Sequence, residues 1–192
     1  KSFEINGASV VSYDKYKNEG SLEDLMECNI IFFCLPTPFV IDMGFDKSAI
    51  YENLDALSEM NYNGLVVIKS TVEPGFVRNI NSKYSFDVCH NPEFLTARTA
   101  FEDFHNQKHI VLGKASESKE FNYLENIFND LYPDAKISIC TSDESEAMKL
   151  FCNNFYAIKV MIFNEFYDVC KNKDISYETV LELMLKNNWI NP

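Results

Sequence analysis

Leu65-Val66-Val67-Ile68-Lys69-Ser70-Thr71-Val72-Glu73-Pro74-Gly75 opens with four consecutive apolar residues and closes on a polar, proline-broken turn. A strand with one wet face alternates apolar and polar residues, so an unbroken apolar run predicts a strand covered on both faces. Pro74 stands where a helix can begin, because a first-turn proline loses no needed N–H. The same grammar recurs upstream in Ile30-Ile31-Phe32-Phe33-Cys34-Leu35, stopped by Pro36-Thr37-Pro38. Phe86-Asp87-Val88-Cys89, Ile110-Val111-Leu112 and Ile137-Ser138-Ile139-Cys140 predict further strands, and Ala8-Ser9-Val10-Val11-Ser12-Tyr13 a short one ending at Asp14.

Helix signals fill the intervals. Ser21-Leu22-Glu23-Asp24 reads as a cap with acidic residues in the first turn. From about Asp46 to Met60 apolar residues recur at helical spacing (Ile50, Leu54, Leu57), and Asn63-Gly64 ends the pattern. A further helix fits Ser118 to Leu131. Two-faced apolar strands separated by helices predict an α/β fold, a doubly wound, mostly parallel sheet with helices on each side. Such sheets bind ligands beyond the carboxyl ends of their strands, which points to Asp14, Pro36-Thr37-Pro38, Ser70-Thr71 and Asn91-Pro92-Glu93. After Ser142 the pattern changes to one long helix, Asp143 to Lys171, and a second, Ser176 to Lys186. The expected division is therefore a sheet domain over 1–142 and, over 143–192, a linking helix and the start of a helical domain.

Composition narrows the function. The 192 residues carry 29 acidic and 17 basic side chains, a net charge of −12. That argues against a nucleic-acid partner, since such affinity rests on phosphate neutralisation by Lys and Arg. No run approaches the roughly 20 apolar residues that cross a bilayer, so no membrane is expected. The six cysteines lack a C-x-x-C pair and several lie in apolar stretches, which predicts no metal site and a reducing, cytoplasmic setting.

Each candidate site residue has two readings. Asp14 suits the ribose hydroxyls of a dinucleotide, favouring NAD over its 2′-phosphorylated form, or is an ordinary turn aspartate. The glycine-rich phosphate loop expected about 20 residues before such an acid has no counterpart, and Gly7 forms no such motif. Lys69 to Gly75 presents hydroxyls and backbone N–H groups to a ligand, or is a plain strand-to-helix turn. Lys149 and Asn153, four apart on one helix face, put an ammonium beside a carboxamide, a pair suited to an oxyanion, or are surface residues. His90, His105 and His109 are expected on the surface or in loops.

Cys34-Leu35-Pro36-Thr37-Pro38, Lys69 to Gly75, Asn91-Pro92-Glu93-Phe94-Leu95, Glu146-Ala147-Met148-Lys149-Leu150-Phe151-Cys152-Asn153-Asn154 and Phe163-Asn164-Glu165 occur in that order. Together they resemble successive motifs of the UDP-glucose/GDP-mannose dehydrogenase family, and Asn188-Trp189-Ile190-Asn191-Pro192 looks most like its UDP-glucose branch. The resemblance implies a Rossmann-like fold and oxidation of a nucleotide sugar's C6 alcohol to a carboxylate. Two hydrides pass to NAD, through a cysteine thioester. It implies that Asp14 binds the adenosine ribose, and that Thr37, Ser70 and Thr71 line the cofactor, with Thr71 also positioning a water. Glu93 assists thioester hydrolysis, Phe94, Leu95 and Thr96 touch the sugar nucleotide, and Lys149 and Asn153 stabilise the oxyanions.

Three departures stand beside these matches. The glycine-rich loop and the Gly-Gly-x-Cys segment of the nucleophile are missing, and Ala97 occupies the place of a second family glutamate. The expectation is a truncated piece, unable to complete the reaction alone, whose helical domain forms homodimers. Two other readings stay open: a 3-hydroxyacid dehydrogenase, whose relatives share Lys-x-x-x-Asn, and a non-catalytic nucleotide-binding or assembly module.

Overall fold

The computed structural model describes residues 1–186. Its elements run α1 (Ser2–Ile5), β1 (Ile30–Phe33), β2 (Phe39–Val40), β3 (Gly44–Phe45), α2 (Ser48–Glu59), β4 (Leu65–Ile68), α3 (Phe76–Asn81) and β5 (Asp87–His90). There follow α4 (Ala100–His105), β6 (His109–Lys114), α5 (Lys119–Leu131), β7 (Lys136–Thr141), α6 (Ser142–Asn172) and α7 (Tyr177–Lys186). Two compact units divide between Leu150 and Phe151, inside α6.

In the first unit a five-stranded sheet has the order β1-β4-β5-β6-β7. β1, β4 and β5 pair in parallel, as do β6 and β7, whereas β5 and β6 are antiparallel. β4 is buried on both faces, as its apolar run requires, whereas the edge strand β7 is largely open. Val66 and Ile68 face one core with Ile31, Phe33 and Val88, covered by Ile50, Leu54 and Leu57 of α2 and Val77 and Ile80 of α3. Leu65 and Val67 face a second core with Ile110 and Leu112, covered by Phe121, Leu124 and Phe128 of α5. Truncating any such fully buried leucine costs about 2–5 kcal/mol. The doubly wound expectation holds, and α5 begins where Ser118 accepts a hydrogen bond from the Phe121 N–H (3.1 Å).

Two expectations are corrected. Ala8 to Tyr13 forms no strand. Val10 and Val11 are 38% and 45% exposed, so the segment buries too little apolar surface to hold an extended place, and its one ladder contact is an isolated bridge from Asp14 to Glu19. His90, expected at the surface, lies on β5 with no exposed area. The small hairpin β2–β3 was not foreseen either; Asp42 and Gly44 supply its positive φ values, 69° and 81°.

The second unit comprises the rest of α6 and α7. Asp174 turns the chain with φ 55°, Ser176 caps α7 by accepting from the Thr179 N–H (3.2 Å), and the Tyr167 and Tyr177 rings meet edge to face at 5.5 Å. The closing Asn188 to Pro192 motif lies outside the described residues.

Within the first unit, α6 begins against Gly113 of β6. A Cβ on Gly113 would stand 2.6 Å from the Ser145 Cβ and 3.0 Å from the Ser142 Cα, so only glycine lets the first turn of α6 seat there. Gly113→Ala is therefore expected to destabilise the chain by about 1–3 kcal/mol, although alanine ordinarily stabilises a strand relative to glycine. Urea unfolding checks this, and a neutral or stabilised variant contradicts the close approach.

Candidate active site

The loops leaving the carboxyl ends of β1, β4 and β5 converge on one cleft. The Ser70 hydroxyl donates to the Leu35 carbonyl (2.6 Å) and accepts from the Leu35 N–H (3.2 Å). The Thr37 hydroxyl donates to the Thr71 carbonyl (2.7 Å). Two hydroxyls thus stitch the β1 loop to the β4 loop, giving a short polar turn a fixed shape. An open cleft of about 290 Å³ lies between them, lined by Cys34, Leu35, Pro36, Lys69, Ser70 and Glu93.

Lys69 forms part of the wall. Only 8% of it is exposed; its ammonium donates to the Asn91 side-chain and backbone oxygens (3.0 and 3.2 Å) and stands 5.3 Å from the Phe104 ring centroid. Asn91 in turn donates to the Val111 carbonyl (2.9 Å). Burial, with no carboxylate in direct contact, pulls the Lys69 ammonium below its ordinary pKa. Cys34 is exposed by surface area, yet the atoms crowding its thiol at the cleft wall desolvate it and raise its pKa.

α6 brings a second cation to the same place. Lys149, 9% exposed, donates to the Glu93 carbonyl, and its ammonium stands 4.9 Å from the centroid of the Phe94 ring. Phe94 is 45% exposed, leaving ring surface for another planar or sugar-like group. Thr96 is turned toward α4, where Asp103 accepts from the Thr96 N–H (2.9 Å) and the Thr99 hydroxyl (2.9 Å). Leu95 is half-buried beside it.

The structure therefore brings together Thr37, Ser70, Thr71, Glu93, Phe94 and Lys149. Asp14 does not line the cleft. Its carboxylate accepts from the Tyr16 and Lys17 N–H groups (3.0 and 3.1 Å) and pairs with the Lys17 ammonium (3.0 Å), and Lys17 holds it below the ordinary aspartate value. Asn153 belongs to the second unit and is exposed. Among the described residues no group of His, Cys, Asp or Glu is placed to hold a metal ion, and all six cysteines are free thiols.

Three buried polar residues escaped the sequence reading. The sequence pattern predicts a turn lysine at Lys69 and a surface histidine at His90, and gives Glu146 no role beyond its place in a motif. Glu146 has no exposed surface and accepts from the Gly75 N–H (2.6 Å) and Val77 N–H (2.7 Å). Burial pushes its carboxyl up to about 7. The one available signal was an acidic residue three before Lys149 on the same helix face.

The chain matches two family models: that of the UDP-glucose/GDP-mannose dehydrogenase NAD binding domain over residues 8–132 and that of the family's central domain over residues 143–192. The chain belongs to the UDP-glucose/GDP-mannose dehydrogenase family. It is 32% identical over 188 residues to the UDP-glucose 6-dehydrogenase of Rickettsia felis, covering 92% of this chain and 41% of that relative. A crystal structure of GDP-mannose dehydrogenase from Pseudomonas aeruginosa, in a ternary complex, superposes with a TM-score of 0.74 at 27% identity, over 88% of this chain and 42% of that one. A UDP-D-ManNAc dehydrogenase from Pyrococcus horikoshii shares the fold, with a TM-score of 0.78 at 22% identity, over 89% and 43%. The chain thus spans about two fifths of the length of the curated relatives it matches. The Rossmann-like architecture and NAD as the cofactor of this domain are borne out. Family membership also sets the chain apart from the 3-hydroxyacid dehydrogenases.

Buried His90 carries a testable consequence. Its Nδ1 shares a hydrogen bond with the Ser145 hydroxyl (2.8 Å), and burial lowers its pKa from 6.5 to about 3. Between those values the unfolded chain binds a proton that the folded chain refuses. The associated stability is full above about 6.5 and is lost as the pH falls toward 3. The unfolding free energy of the wild type is expected to fall more steeply across that window than that of His90→Gln. Equal slopes in urea titrations at each pH contradict the burial of a neutral ring.

Proposed function

We propose that the protein carrying this chain is an NAD-dependent nucleotide-sugar 6-dehydrogenase that oxidises UDP-glucose to UDP-glucuronate. In this reading residues 1–142 form the NAD-binding domain and residues 143–192 begin the central helical, dimerising domain. The observation that carries it is the Lys149 ammonium, held at the rim of a cleft built by the Thr37, Ser70–Thr71 and Glu93–Phe94 loops. A cofactor-binding residue set alone fits many dehydrogenases. A fixed cation beside it suits one task, stabilising negative charge on a substrate oxygen as it is oxidised.

The cleft fits a nicotinamide cofactor in its donor set, with hydroxyls and backbone groups at the carboxyl ends of adjacent parallel strands. When bound, NAD accepts the hydrides from the sugar's C6. Thr37, Ser70 and Thr71 hold and orient it, and Thr71 also places a water. Phe94, Leu95 and Thr96 contact the sugar nucleotide. Lys149 stabilises the alkoxide as its proton leaves and the oxyanion that forms when the acyl carbon is hydrolysed, while the Glu93 carboxylate orients or deprotonates the attacking water. The role of Asn153 rests on its place in the Lys-x-x-x-Asn motif. Asp14 serves the ribose once its carboxylate exchanges Lys17 for the ligand's hydroxyls.

Partners follow from the same reading: a nucleotide sugar, and a second copy of the protein. Phe151 and Phe155 of the second unit, 69% and 64% exposed, support self-association. The net charge of −12 supports the exclusion of nucleic acid, among the described residues no helix is long and apolar enough to cross a membrane, and six free thiols support a cytoplasmic location.

Lys149→Ala is expected to lower kcat for NADH formation from UDP-glucose by about 10²–10³-fold while leaving NAD affinity within a few-fold of wild type. An undiminished rate removes Lys149 from the chemistry. A protein that binds NAD and turns over no nucleotide sugar overturns the assignment in favour of a binding module.

A further inference from the structure

Three side chains on one turn of α6 make four bonds to three different segments of the chain. Ser145 bonds His90 at the end of β5 (2.8 Å). Glu146 accepts from Gly75 (2.6 Å) and Val77 (2.7 Å) in the turn that leads from Thr71 into α3. Lys149 donates to the Glu93 carbonyl. Glu146 binds two groups at once, and both are backbone amides at the head of a helix. Gly75 reaches that carboxylate in a left-handed conformation, φ 92°, which presents its N–H at a position most residues cannot adopt. A two-point bond fixes orientation as well as distance, which a single bond does not.

We propose that Glu146 is the positioning residue for Lys149: by binding the Gly75 and Val77 amides it locks the rotation of α6 and the height of the Ser70–Thr71 loop together. Sliding or turning α6 by one residue would break both amide bonds. The cofactor loop and the oxyanion-binding lysine are therefore registered to each other through this one carboxylate. The proposal rests on the reading of Lys149 given above.

The surroundings of Glu146 make the lock adjustable. Asp143 on α6 and Glu73 on the β4 loop both raise its pKa, adding to burial. The nearby cations are engaged elsewhere: Arg78 of α3 pairs with Asp143 (2.7 Å), Lys47 pairs with Glu73, and Lys149 donates to the Glu93 carbonyl. His90 of β5 is neutral at these pH values. The carboxyl therefore titrates near 7. Once protonated it keeps one strong acceptor oxygen, and one of the two amides loses its partner.

The test is nuclear magnetic resonance on the whole 192-residue chain, labelled with ¹⁵N and with ¹³C at the lysine Cε. In the wild type the Gly75 and Val77 amide resonances are expected to move together with a midpoint near pH 7, and the Lys149 Cε resonance to move with the same midpoint. In Glu146→Gln all three are expected to be pH-independent over that range, with Lys149 displaced from its high-pH wild-type position. Glu146→Asp restores a titration with a smaller displacement. Amides that do not titrate near 7 overturn the proposal. So does a Lys149 signal that is the same in Glu146→Gln as in the wild type, because Glu146 then holds the loop alone. The wild-type titration needs no variant, so a misfolded substitution leaves the question answerable. These signals read the tether and not turnover: if Lys149→Ala leaves the rate intact while the three resonances still move together, the catalytic reading fails and the tether stands.

Discussion

Everything in the first unit hangs on β4 being covered from both sides. Its four residues alternate between two separate cores, Leu65 and Val67 into one and Val66 and Ile68 into the other, and none is more than 1% exposed. Because both faces are sealed, the strand has no freedom to shift its register. Its carboxyl end, and the Lys69 to Gly75 turn that follows, are therefore delivered to a fixed point. The loops from β1 and β5 on either side inherit that precision through backbone pairing.

Against this rigid floor, among the described residues, Lys69, His90, Glu146 and Lys149 are buried. Removing such groups from water is costly unless each finds partners. For Lys69, His90 and Glu146 the partners are backbone amides and carbonyls, a serine and an asparagine. That choice leaves two shifted protonation equilibria, a depressed imidazole and a raised carboxyl, buried behind the cleft-forming loops that they bond. It also brings two cations, Lys69 and Lys149, to the same opening.

The sequence carried the architecture well because hydrophobic patterning acts locally and repeatedly. The apolar runs at Ile30, Leu65, Phe86, Ile110 and Ile137 each became a strand, and the break after Cys140 became the start of α6. Ala8 to Tyr13 misled because two adjacent valines suggest a strand, yet a strand needs a ladder partner that local pattern does not reveal. Within the cleft, Thr37, Ser70, Glu93 and Lys149 were legible through ordered motifs. Lys69, His90 and Glu146 were not, since the same residue types occur far more often on surfaces. What buries them is the packing of α6 against β6 and the loops, a contact between segments distant in sequence.

The reversal of direction between β5 and β6 has a mechanical result. β7 runs alongside β6 at the edge of the sheet, and α6 follows it directly, seated against Gly113 and bonded to His90, Gly75, Val77 and Glu93. The ammonium of Lys149 thus arrives on a helix, not on a surface loop. A helix advances about 100° per residue, so losing or gaining a single residue between Ser142 and Lys149 would swing the charge to another side of the helix. That stretch is consequently a fixed-length spacer, in which the count of residues sets the direction of the charge and the bonds of Ser145 and Glu146 hold it there.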